Sequence, residues 1–161
     1  YLGWSFAAKF HVQDVARKEL ARQGIEHRQI VTLAAPFNTI LWRMVVMTPE
    51  GYAEGWYSLL DSDQAIEFTH HRSAEALLTG LESHWPVARL QWFTKGFYSV
   101  RPEERDVVIT DLRMGAEGYY AFQFKVGEIG NPHSVPMPSE RLESTLDDAA
   151  LTELWRRLKG D

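Results

Sequence analysis

The stretch FNTILWRMVVMTPEGYAEGWYSLLD, residues 37–61, decides how the rest of the chain is read. From Ile40 to Met47 every residue but Arg43 is apolar, and the run is rich in β-branched and aromatic types. That is the composition of a strand buried on both faces. Thr48-Pro49-Glu50-Gly51 reads as a type I turn, with proline presetting φ at the second position and glycine at the fourth. Tyr52 to Leu60 then returns as a second strand with alternate side chains on opposite faces. A lone hairpin is marginal in water, so this one needs further strands and a helix.

Flanking segments supply them. Trp4 to Gln23 predicts a helix, because Ala8, Val12, Ala16 and Leu20 recur at four-residue spacing beside Val15, and Gly24 stops it. His27 to Ala34 and Ile66 to His70 read as strands on either side of the hairpin. Ser73 is a good N-cap for a helix over Ala74 to Glu82, and Trp85-Pro86 should break it, with Val87 to Phe93 adding a turn or two. Phe97 to Val100, Val107 to Leu112 and Tyr119 to Val126 follow as strands, the last with clean alternation. Asn131 to Pro138 is expected to be extended and mobile, and Asp147 to Leu158 helical.

The expectation is an α+β domain: a mostly antiparallel sheet of about six or seven strands with about three helices, the N- and C-terminal ones included. Residues 1–161 are taken as a single soluble domain. Within it, 1–24 form the first helix, 25–126 a sheet with an inserted helix, and 127–161 an extended segment and closing helix. A length of 161 residues suits one such domain, and 45% hydrophobic with 24% charged residues argues against disorder. Net charge of -5 leaves no basic footprint for nucleic acid. With no cysteine there is neither a disulfide nor a thiolate metal site.

Candidate chemistry is sparse. Arg43 and Glu54 are the charges inside otherwise apolar strands, so if they face inward they should be paired. Asp111 and Arg113 share one strand face just before a Gly115 loop and could hold a polar ligand. These four are the substrate-binding candidates, and structural ion pairs are the plainer reading of them. His70 and His71 are the weak metal candidates, since adjacent strand residues point to opposite faces. Trp42, Trp56, Trp92, Phe93, Phe97 and Tyr98 could line a groove, although core packing explains them more simply. No hydrolase triad spacing, metal-binding helix motif or phosphate loop is present.

Five segments together carry a family resemblance: YLGWS from Tyr1, FNTILWR from Phe37, GYAEGWYSLLD from Gly51, LQWFTKGFY from Leu90 and ITDLRMG from Ile109. They resemble the C-terminal soluble region of bacterial inner-membrane proteins of the membrane-bound metal-dependent hydrolase (YdjM-like) family, in the same order along nearly the whole chain. The resemblance implies a bundle of transmembrane helices ahead of Tyr1, which carries the His and Asp residues of a divalent-metal site in the full-length parent. This sequence would then be an excised extramembrane domain, anchored to the inner membrane through those helices and without a cofactor of its own. An apolar start with Tyr1, Trp4 and Lys9 suits a helix leaving a membrane. Lys9, Arg17, Lys18 and Arg22 outnumber Asp14 and Glu19 there, which leans toward the cytoplasmic side.

Two functions follow as expectations. One is a domain accessory to the parent's metal site, acting on an unknown small-molecule substrate beside its own transmembrane region. The other is a non-catalytic binding or assembly module that uses an aromatic groove or a sheet edge, with a homo-oligomer among its possible assemblies. A free-standing soluble enzyme ranks last. Convergence of Arg43, Glu54, Asp111 and Arg113 in one open cleft would favour the first, and closed pairs the second.

Overall fold

A computed structural model describes residues 2–35, 40–61 and 65–143. The chain is α+β, and its described residues fall into two compact units, one up to His71 and the other from Arg72 to Glu143.

In the first unit, helix α1 (Leu2–Gln23) lies on a four-stranded antiparallel sheet. Its strands are β1 (Gln29–Ala34), β2 (Leu41–Thr48), β3 (Gly51–Ser58) and β4 (Phe68–Arg72), in that spatial order. The four-residue periodicity of α1 sets the packing: Val12, Ala16 and Leu20 are fully buried, with Ala8 and Val15 beside them. They meet Trp42, Met44 and Val46 of β2 and Ala53 and Tyr57 of β3. Strand register puts those β2 and β3 residues opposite one another, Trp42 facing Tyr57 and Val46 facing Ala53. Every residue of β2 is buried, which is what a run apolar but for Arg43 predicts.

The end of α1 closes as a Schellman motif. Gly24 sits at φ 66, its N–H donates to Ala21 O, and the Ile25 N–H donates to Leu20 O. Just before that end, the Glu19 carboxylate accepts hydrogen bonds from Arg22 Nε at 2.9 Å and from Gln23 Nε2 at 2.6 Å. These donors, Arg22 first, hold its pKa at about 2, below the ordinary 4.5. Gln23 Nε2 also donates to Ile66 O, tying the helix to the approach to β4. Gly55 lets that approach come close: a Cβ there would lie 2.7 Å from Ile66 Cγ2 and 2.9 Å from Phe68.

The second unit holds a second antiparallel sheet in the order β5 (Tyr98–Glu103), β6 (Asp106–Asp111), β7 (Gln123–Glu128) and β8 (Val135–Arg141). Leu78, Leu81, Val87, Val100, Val107, Ile109 and Val126 form its core. Helix α2 (Trp85–Thr94) packs on this core through Val87 and, in part, Leu90.

Four expectations change. The single sheet of six or seven strands is two sheets of four, each built from sequence neighbours joined by short connections. Only Glu75–Leu78 of the predicted Ala74–Glu82 helix forms, as a single 3-10 turn. Ser73 does not cap it, because its Oγ instead accepts from the Val100 N–H on the edge of β5, and Gly80 at φ 93 leaves helical space. The substantial helix begins where a break was expected, with Pro86 in its first turn, where the missing N–H has no intrahelical partner to lose. Asn131 to Pro138, expected to be loose, runs into strand β8. The predicted helix over Asp147 to Leu158 lies outside the described residues.

Candidate functional site

The charged candidates close on each other. On the face of the first sheet opposite α1, Arg43 Nη2 donates to Glu54 Oε2 at 2.9 Å, and the two side chains are 3% and 6% exposed. Arg43 opposes Trp56 in the register, which sets Glu54 diagonally across from it and on the same face. Trp56 Nε1 adds a hydrogen bond to Glu54 Oε1 at 3.2 Å. In the second unit, Asp111 ends β6 and receives a bidentate grip from Arg113, with Nε to Oδ1 at 3.0 Å and Nη2 to Oδ2 at 2.7 Å. The Arg113 backbone N–H also donates to Oδ1. The Asp111 hydrogen bonds raise the Arg113 pKa further above its ordinary value, with partial burial opposing. Each carboxylate is thus engaged by the arginine beside it, and the two pairs belong to different units.

His70 is exposed, whereas His71 stacks on Tyr52 with ring centroids 4.9 Å apart, so the two side chains leave the strand in different directions. Among the described residues, no group of three or more His, Cys, Asp or Glu side chains could hold a metal ion. The divalent metal that the family resemblance implies therefore finds no fitting ligand set in them.

A different site emerges on α2. Val87 and Thr94 are buried on its inner side, and Gln91 Nε2 donates to Tyr98 Oη at 3.1 Å. The outer side presents Trp85, Arg89, Trp92 and Phe93 at spacing i, i+4, i+7, i+8, one continuous helical face. Trp85 is 67%, Trp92 74% and Phe93 51% exposed, far more than large aromatic side chains in a core. Phe122 and Phe124, entering and within β7, and Ser139 of β8 face this helix across a groove of about 330 Å³. Trp85, Pro86, Arg89, Leu90 and Phe93 line its helix side. That volume is at the lower end of the ~300–1,000 Å³ typical of small-ligand clefts. His84 Nε2, 2.9 Å from Met137 O, fastens the start of the helix to β8.

Guanidinium groups ring the aromatics. Arg89 lies 5.2 Å from the Trp85 ring centre, Arg113 5.1 Å from Phe93 and Arg141 4.8 Å from Phe122. Arg113 is neutralised by Asp111, but Arg89, Arg141 and the exposed Lys95 form no ion pair among the described residues. This arrangement can seat an apolar or aromatic group in the trough and an anionic one at the rim. The groove lining offers neither an imidazole nor a carboxylate for acid–base work.

Core packing holds for Trp42, which is 5% exposed, and fails for Trp92 and Phe93. Sequence reasoning missed Trp85, Arg89, Phe122 and Arg141 altogether. The outward helical spacing from Trp85 to Phe93 was the available signal, masked by reading Trp85-Pro86 as a break. No helix among the described residues is long and apolar enough to cross a membrane. Comparison with family models, with curated proteins and with solved structures gives no match for this chain.

Proposed function

We propose that this chain is a binding module without a catalytic centre of its own, and that it works through the aromatic groove of its second unit. One observation carries the reading: three large aromatic side chains of a ten-residue helix face outward beside an apolar trough. Exposed aromatic surface of that kind is a liability unless something covers it. The closure of Arg43 on Glu54 and of Arg113 on Asp111 supports the same reading, since neither pair offers free charge to a substrate. Binding through a sheet edge has less support in the second unit. Residues 73 and 74 take both outward backbone groups of Val100 on β5, and Pro136 and Pro138 interrupt the opposite edge strand. In the wider setting suggested by the family resemblance, the module is the extramembrane domain of an inner-membrane metal-dependent hydrolase whose reactive centre lies in the membrane part.

A neutral, environment-sensitive dye such as Nile red tests the groove. Saturable binding at one site, weakened by Phe93→Ser and Phe122→Ser with the fold retained by circular dichroism, is the expected result. Dye binding that is absent, or that ignores both substitutions, overturns it.

A further inference from the structure

We infer that the outer face of α2, with the groove beside it, docks onto a lipid surface carrying anionic headgroups; this rests on the groove reading above. The first argument is charge. The chain as a whole carries -5, yet Trp85 to Lys95 contains Arg89 and Lys95 and no carboxylate, and Arg141 stands at the groove's far wall. An acidic protein would be repelled by an acidic membrane except through such a patch. The second argument is chemistry. Tryptophan beside arginine is the pairing that places aromatic rings at headgroup depth and guanidinium groups against phosphates. The third is extent. The exposed apolar surface of α2 reaches beyond the trough to Trp92, which is 74% exposed, so a ligand confined to the groove would leave that ring uncovered.

A second copy of the chain fits less well. A two-fold contact through this face would bury Arg89 and Lys95 of both copies in one interface, with no carboxylate on either helix to pair them. A bilayer supplies apolar depth and negative charge in one layer.

Co-sedimentation with vesicles provides the test, comparing phosphatidylcholine alone with phosphatidylcholine in which about a third of the lipid is phosphatidylglycerol. The chain is expected to pellet with the anionic vesicles and to be released by salt approaching 1 M, where screening is nearly complete. Arg89→Glu should weaken partitioning by at least about five-fold, the effect of one surface cation near an anionic leaflet. Trp92→Ala should weaken it too, while both exposed positions leave thermal unfolding in place. Equal binding to both vesicle types overturns the role of charge. Pelleting with neither, while Nile red still fills the groove, overturns the lipid surface and leaves the groove reading standing. Loss of the dye signal as well removes the foundation of both. Concentration-dependent dimerisation abolished by Trp92→Ala would assign the face to a second copy and end the proposal.

Discussion

The central hairpin and helix α2 both carry tryptophan and aromatic neighbours, but they treat them oppositely. Trp42 and Tyr57 face each other across β2 and β3 and are sealed beneath α1. Trp85, Trp92 and Phe93 stand on the outside of α2 while Val87 and Thr94 take the core positions. Aromatic content therefore says nothing about burial until it is set against the period of its element. In the hairpin, alternate residues meet a helix on one side; in α2, Trp85, Trp92 and Phe93 share the side of the helix opposite Val87 and Thr94.

Substitutions can break that contrast, and the largest effect belongs to the hairpin. Trp42→Ala should cost about 3–5 kcal/mol in chemical denaturation, because the cavity opens under α1 where nothing can collapse into it. Gly55→Ala comes next. Its new methyl meets Ile66 and Phe68 inside contact distance, and overpacking of this kind costs about 1–3 kcal/mol.

Glu19 sharpens the picture on the pH axis. With its pKa held at about 2 in the fold against an ordinary 4.5, its contribution is complete above the ordinary value. That contribution declines as pH falls from 4.5 toward about 2. Stability of Glu19→Gln should be lower at neutral pH and flatter through that acid range, as followed by urea titrations at several pH values. Trp92→Ala should change stability least, within about 0.5 kcal/mol, since its ring is already in water. A large loss there would mean that the outer face of α2 is packed after all.

Much of the first unit was legible from its residues. The stripe of Ala8, Val12, Ala16 and Leu20 and the apolar run of β2 each point to one burial pattern, and Arg43 and Glu54 are paired as two charges inside apolar strands should be. The second unit was harder to read because its signals depend on distant partners. Ser73 has the chemistry of a cap but serves the edge of β5, and Pro86 opens a helix it was expected to end. The groove lay out of reach for the same reason. Phe122, Phe124, Ser139 and Arg141 acquire their meaning only when β7 and β8 bring them to α2, and nothing local in their spacing announces that meeting. Two sheets in place of one is a further case, since strand patterns specify faces but not which strand lies alongside which.

Strand β8 draws a last consequence. Pro136 and Pro138 each remove an amide hydrogen from this outermost strand, and its pairing with β7 shifts register between Pro136 and Glu140. A helix that displays two tryptophans and a phenylalanine to water invites self-adhesion, and fibrils grow when such stickiness finds a ladder to extend. Here the nearest edge strand is short of donors and irregular in register, which blunts such growth, so the module can keep an adhesive helix on show and still stay dispersed.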